Sequence, residues 1–385
     1  MRKIKVLQAN KLYYPVTGGI EKVVQDISEG FRDDEEIENQ VLVCQKKGRE
    51  IKETVNGVSV TRCSSLGVVS SLPISFGFLR EFRRLAKCQD IIHIHAPFPL
   101  GDLACRLSGY KGKVVVWWHS DIVRQKKLVK IYRPLMEWLL KRADAIVVAT
   151  EGNIAGSQYL GPYREKCHVI PFGVDQTLMQ EADSFLTKPQ NKDIGSREVT
   201  FLFAGRLVYY KGCDILLRAF AELHHQTAVL TIIGDGKLRV ELEELARELG
   251  IREKVTFLGE VSREVLLQNF AQCDVFVLPS VAPSEAFGIV QIEAMAYGKP
   301  VINTKLKSGV PFVSLHGKTG LTVEPQNVED LTEAMKLLAE DAGRRRQYGI
   351  AAAERARKFY SMDCMLEQLK ALYMGLVSQV CAEKD

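Results

Sequence analysis

The chain has 385 residues, 46% hydrophobic and 26% charged, with a formal net charge of +5. That length predicts two domains, and that composition excludes a disordered chain, a collagen-like fibre and a coiled-coil rod. No apolar run approaches the roughly 20 residues needed to span a bilayer. The first residues read as a strand and not as a signal peptide, and nine scattered Cys without a CxxC pair read as reduced thiols.

Short runs rich in Ile and Val recur along the first half and predict strands at Ile4–Ala9, Gln40–Cys44, Asp90–His95, Val114–Trp118 and Ala145–Ala149. Amphipathic stretches between them predict helices at Ile20–Phe31, Ser75–Lys87 and Tyr132–Lys141. The pattern then restarts. Strands are expected at Thr200–Ala204, Val229–Gly234, Val255–Leu258, Val275–Leu278 and Val301–Asn303. Helices are expected at Asp214–Leu223, Lys237–Leu249, Arg263–Ala271 and Gly288–Tyr297, with three more at Leu331–Ala339, Gly343–Phe359 and Met362–Val380. Continuous apolar strands alternating with helices indicate α/β domains with parallel sheets covered on both faces. Gln176–Arg197 is polar and strand-poor and is expected to be the boundary loop, so the chain divides at Asp175.

Ligands of open α/β sheets bind beyond the carboxyl ends of the strands, which directs attention to the strand-to-helix loops. After the first strand, Gly18-Gly19 precedes a helix, where backbone N–H groups can approach an anion. Arg206 and Lys211 flank the loop Gly205–Gly212 at the end of the first strand of the second series, a pattern suited to a diphosphate. Glu285 precedes a helix and Glu293 lies two turns into it, among Ile292, Ala294, Met295 and Ala296. A carboxylate on so apolar a helix needs partners, and ligand hydroxyls are expected to supply them. His119 sits at the tip of Val114–Trp118, where it can donate a hydrogen bond to a sugar hydroxyl or to developing charge. His93 and His95 alternate on another strand and share one face. The dinucleotide GxGxxG, a P-loop, an Asp-x-Asp motif and zinc-spaced ligands are all missing.

Glu285 and Glu293 form an E-x7-E motif. Together with Gly205-Arg206, Lys211-Gly212, Gly18-Gly19 and the linker Ile170–Asp175, it resembles the family 4 retaining glycosyltransferases of the GT-B fold. The resemblance covers the whole chain. It implies two Rossmann-like domains facing across a cleft, an acceptor-binding domain at 1–175 and a donor-binding domain at 176–361, with the last helix (362–385) returning to the first. It also implies roles. Arg206 and Lys211 would hold the donor diphosphate, with backbone at Gly18 and Gly19. Glu293 would bind the ribose, and Val261 would lie beside the nucleobase. Glu285 would contact the transferred sugar, near backbone from Ala286, Phe287, Gly288 and Ile289, and His119 would contact that sugar near the reacting carbon. Catalysis would need neither metal nor cofactor beyond the nucleotide sugar.

Trp118–Gln125, Arg142–Ile146 and Ser308–Ser314 resemble bacterial O-antigen and surface-polysaccharide enzymes, many of them mannosyltransferases using GDP-mannose. Glu260 or Glu264 would read a guanine, UDP-sugars stay open as donors, and a nucleotide-sugar epimerase of the same fold is the remaining alternative. Nucleic acid is not expected as a partner. Residues 1–175 hold 27 Lys and Arg against 19 Asp and Glu. Phe76–Lys87 and Arg124–Arg133 mix these cations with apolar residues. They are expected to touch an anionic membrane surface where a lipid-linked saccharide acceptor is presented, which makes the protein cytoplasmic, or peripheral on the inner face of the membrane.

Overall fold

The computed structural model describes residues 2–16, 18–69, 72–122, 126–187 and 198–382. The chain opens with β1 (Ile4–Ala9), α1 (Gly19–Gly30), β2 (Ile37–Cys44), β3 (Ile51–Val55), β4 (Val58–Cys63), β5 (Gly67–Val69), β6 (Leu72–Ile74) and α2 (Phe76–Ala86). It continues through β7 (Ile91–Ala96), α3 (Pro99–Ser108), β8 (Lys113–Trp118), α4 (Lys126–Arg142), β9 (Ala145–Val148), α5 (Glu151–Gly156), β10 (Cys167–Val169) and α6 (Gln176–Thr187). Then come β11 (Val199–Ala204), α7 (Cys213–Glu222), β12 (Ala228–Ile233), α8 (Arg239–Glu248), β13 (Val255–Gly259), α9 (Arg263–Gln272), β14 (Val275–Leu278) and α10 (Ile289–Ala296). The last elements are β15 (Val301–Thr304), α11 (Val310–Val313), β16 (Gly320–Val323), α12 (Val328–Glu340), α13 (Ala342–Tyr360) and α14 (Met362–Ala382).

Two compact units result. The first is Met1–Ala149, Ser157–Pro171 and Met362–Asp385; the second is Thr150–Gly156 and Phe172–Ser361. The chain passes into the second unit at Phe172, ahead of the expected boundary at Asp175, and α5 has already contributed one segment to it. The stretch expected to be a boundary loop instead begins with α6, which buries Leu178, Met179 and Ala182; residues 188–197 lie outside the described residues.

The first unit carries an eight-stranded sheet in the order β10-β9-β8-β7-β1-β2-β4-β3. Every pairing is parallel except β3 with β4. β7 and β9 are buried along their whole length, which is why they read as unbroken apolar runs. The exposed edge strand β3 turns into β4 through Asn56-Gly57, both at positive φ, as a two-residue hairpin requires. α14 docks on this unit through Met365, Leu369, Tyr373 and Leu376, one face of a helix. Its Lys370 bonds Asp34 at 2.8 Å and Glu36 at 2.7 Å. The return of the last helix to the first domain is therefore as expected.

The second unit has a six-stranded, all-parallel sheet in the order β13-β12-β11-β14-β15-β16. Counted within the unit, that is the 3-2-1-4-5-6 order of a doubly wound nucleotide-binding sheet, and the order reverses between β11 and β14. In the first unit the equivalent reversal lies between β1 and β7. Phe201, Phe203, Leu216, Leu230, Val277 and Met335 anchor the second unit's core.

Candidate active site

At the second unit's switch point the loop after β11 doubles back on itself. Gly212 has φ 68 and caps α7, and a Cβ there would stand 2.1 Å from the Pro279 carbonyl oxygen. Only glycine tolerates both the left-handed backbone and that contact. The turn buries Lys211, whose Nζ lies 2.6 Å from Glu285 Oε2, with each side chain 10% exposed. Ser280 Oγ donates to the same carboxylate oxygen at 3.1 Å, while the Ser280 carbonyl accepts from Thr304 Oγ1 at 2.6 Å. Two residues expected to hold different parts of a donor thus hold each other. Arg206, on the same loop, is exposed and donates through Nη2 to the Tyr210 hydroxyl at 3.1 Å.

Glu285 leads into α10 through Gly288, which has φ 73; a Cβ there would meet Leu278 Cδ2 at 2.5 Å. The Ala286 carbonyl accepts from Gly309 N at 2.8 Å and Asn153 Nδ2 at 3.1 Å, which pins the loop. Phe287 turns its ring into the core, 4.9 Å from Phe172 and 6.1 Å from Tyr360. Only its backbone can serve a ligand, together with Gly288 and the half-buried Ile289 at the helix start, where the first N–H groups have no intrahelical partner. The Ser284 hydroxyl beside Glu285 is buried without a hydrogen-bond partner.

Glu293 is not waiting for ligand hydroxyls alone. Arg263, the first residue of α9, donates from Nη1 to its carboxylate at 2.8 Å. The expectation that only a ligand would satisfy this carboxylate is corrected by a residue 30 positions away. Val261 is half-buried just before α9, and Glu260 and Glu264 are both exposed. Arg263 and Glu264 also line a cavity of about 530 Å³ with Asp175, Glu181, Phe185 and Tyr297. Among the described residues no group of three or more His, Cys, Asp or Glu side chains is placed to hold a metal.

In the first unit, Gly18 is extended and caps α1, and a Cβ on Gly19 would meet nothing within 4 Å. His119 is not an open strand-tip donor; it is 7% exposed, and its Nε2 lies 3.0 Å from His95 Nδ1. His95 Nε2 lies 3.0 Å from Gln8 Oε1, Gln8 Nε2 donates to the Tyr373 hydroxyl at 3.1 Å, and that hydroxyl lies 2.5 Å from His93 Nδ1. His93 and His95 stack at 4.7 Å, His95 and His119 at 5.3 Å, and Trp117 lies flat against His119 at 5.9 Å. Burial disfavours the charged imidazolium. It pushes His95 down to about 3, and it takes His93 and His119 well below the usual histidine range, helped by the histidines' mutual repulsion and, at His119, by Lys11. The shared face of His93 and His95 was legible; the involvement of Gln8 and Tyr373 was not. Nearby, Asp102 is fully buried, accepts from the Tyr132 hydroxyl through Oδ2, and has no partner at Oδ1. Desolvation raises it to about 7.

Residues 17–178 match the family model described as Glycosyltransferase Family 4, and residues 184–355 match that of Glycosyl transferases group 1. The chain is 33% identical to O-antigen chain mannosyltransferase C of Escherichia coli, over 97% of this chain and 99% of that one. It is 34% identical to D-rhamnosyltransferase WbpZ of Pseudomonas aeruginosa, over 93% and 92%. Among solved structures, sucrose-phosphate synthase from Thermosynechococcus elongatus superposes with a TM-score of 0.77 at 22% identity, covering 98% of this chain and 100% of that one.

Proposed function

The chain belongs to the family 4 glycosyltransferases of the GT-B fold, and from that premise we propose that it is a retaining enzyme moving mannose from GDP-mannose to a lipid-linked saccharide in bacterial surface-polysaccharide synthesis. The observation that carries this reading is the near full-length similarity to an O-antigen mannosyltransferase, joined to an E-x7-E pair whose first glutamate is already engaged with the loop cation Lys211.

Breaking the anomeric C–O bond puts negative charge on the diphosphate and positive charge on the sugar. Lys211 is held buried at the turn by its contact with Glu285, and once a diphosphate replaces that partner its ammonium can stabilise the developing oxyanion. In this reading the donor diphosphate takes over Lys211 and Arg206, and Glu285 turns its freed oxygen to sugar hydroxyls with the Ser284 hydroxyl beside it. Glu293, oriented by Arg263, accepts from the ribose. The departing phosphate takes the proton of the acceptor hydroxyl as the new bond forms on the same face, with no metal required.

The anionic membrane surface is retained as the place where the acceptor is met, with a changed footprint. Arg80 and Arg84 on α2 are tied to Glu81, and Arg80 also to Glu50, so that helix offers less free charge than its sequence indicates. Arg124 lies outside the described residues. Ile131, Phe76 and Leu66, 81%, 74% and 71% exposed, are apolar side chains such a surface would use. No helix among the described residues is long and apolar enough to cross a membrane.

A thermal-shift panel of GDP, UDP, ADP and their sugars tests the donor, since a ligand that binds only the folded state raises its Tm. A shift with GDP and GDP-mannose, and mannosylated product from a lipid-linked acceptor, is expected. A shift confined to UDP overturns the donor.

A further inference from the structure

The turn that leaves β1 carries a cation, and the helix after it an anion, that no contact in the first unit neutralises. Lys11 follows β1 at the switch point of that sheet, where ligands of open α/β sheets bind. Its backbone is fixed. The Lys11 carbonyl accepts from Cys44 N at 2.9 Å, and Asn10, 1% exposed, donates from Nδ2 to the Leu12 carbonyl at 2.9 Å. The side chain is half-buried, and burial lowers the ammonium below the ordinary lysine value while the charges of Glu21 and Asp102 oppose that shift. Glu21, in the first turn of α1, is half-buried as well. Its carboxylate lies over the backbone of Gly18, where an added Cβ would stand 2.3 Å from Oε2. Among the described residues neither Lys11 Nζ nor the Glu21 carboxylate makes a hydrogen bond or an ion pair, with each other or with a third group.

Taking a charge out of water without a partner is costly. These two are close enough to feel each other and too far apart to pair. The ammonium only donates and the carboxylate only accepts, whereas a hydroxyl does both. A polyol therefore fills the gap with one group on each side, while a phosphate that met Lys11 would be repelled by Glu21. Asp102 adds to the same count: it is fully buried, its Oδ1 has no partner, and Lys11 is the cation that acts on it. We propose that Lys11 and Glu21 form a saccharide subsite in the first unit, Lys11 donating to hydroxyls of the acceptor sugar and Glu21 accepting from them. The subsite rests on the reading of this unit as the acceptor domain.

Acetylation of the full wild-type chain by limiting N-hydroxysuccinimidyl acetate at pH 7.5, read by peptide mass spectrometry, reports on the Lys11 amine without requiring a variant to fold. The probes are methyl α-mannoside, methyl α-rhamnoside and methyl N-acetyl-α-glucosaminide, each compared with GDP alone. At least one glycoside should slow acetylation of Lys11 severalfold and leave the exposed Lys336 of the second unit unchanged. In Lys11→Met and in Glu21→Gln the Kd of the protecting glycoside should rise roughly tenfold, the worth of one hydrogen bond to a charged group, with the Tm shift given by the nucleotide unchanged. Protection by the nucleotide alone assigns Lys11 to the donor diphosphate and overturns the subsite. So does acetylation that no glycoside slows, or an unchanged Kd in Lys11→Met, and an unchanged Kd in Glu21→Gln removes Glu21 from it. Failure of the donor reading shows separately, as a missing Tm shift with GDP, and the glycoside arms are read the same way whichever nucleotide binds.

Discussion

Lys211 and Glu285 in the second unit follow β11 and β14, the two strands of its switch point, while His95 and His119 in the first lie at or beyond the carboxyl ends of β7 and β8, one strand to the side of its own. One site buries a cation against an anion, and the other buries a line of neutral rings. Burying charge is costly unless it is paired, so a charged pair is a site held ready for a second set of charges, such as a diphosphate. Neutral imidazoles gain nothing from such an exchange. A charged pair can exchange partners with an incoming anion, and a line of neutral rings cannot.

The strongest way to break this contrast is to remove one member of the charged pair. Lys211→Ala and Glu285→Ala should each lower turnover by more than about tenfold, as should Arg206→Ala. Each substitution within the pair strands a buried charge and should cost about 3–5 kcal/mol in denaturant unfolding, whereas Lys211→Met combined with Glu285→Gln should cost far less. Equal loss in the single and double variants would mean that the pair is not the unit of stability.

Acid sharpens the contrast next. The three buried histidines have folded-state values below the unfolded 6.5. The unfolded chain therefore binds more protons as the pH falls, and stability present above 6.5 is lost below it. Each contributes at most about 1.4 kcal/mol per pH unit, which the unfolding transition of the first unit between pH 7 and 5 should show. His95→Gln should reduce that slope by roughly one group's share. Because His119 stays neutral, turnover should show no step from it between pH 7.5 and 6. The smallest effect is expected from Arg263→Ala. Its ion pair with Glu293 is partly exposed and worth about 1 kcal/mol or less, so the donor KM should rise a few-fold with kcat nearly unchanged.

The strands buried on both faces were legible because nothing polar interrupts them, as in Val114–Trp118 and Val275–Leu278. α3 is absent from the predicted elements, although it begins at Pro99 and proline is welcome at a helix start. The β3–β4 hairpin was missed despite its Asn56-Gly57 turn, because β3 is polar and exposed. In the candidate site, Arg206, Lys211, Glu285 and Glu293 stand out in the sequence by their loops and spacing. Their partners do not, since Arg263 comes from a different helix and Tyr373 lies 365 residues from Gln8. Periodicity reports which face is buried, and it carries no information on which distant side chain meets it.

The docking of α14 on the first unit has a consequence for biosynthesis. Domains usually fold in the order in which they leave the ribosome, but here the unit begun first is finished last. Every residue from Phe172 to Ser361 emerges before Tyr373 does. At translation rates of about 5–20 residues per second, Gln8 waits roughly 20–70 s for its partner. Throughout that interval the face that will receive Met365, Leu369 and Tyr373 is uncovered, which makes the nascent first unit a client for chaperones and the second unit the one that matures alone.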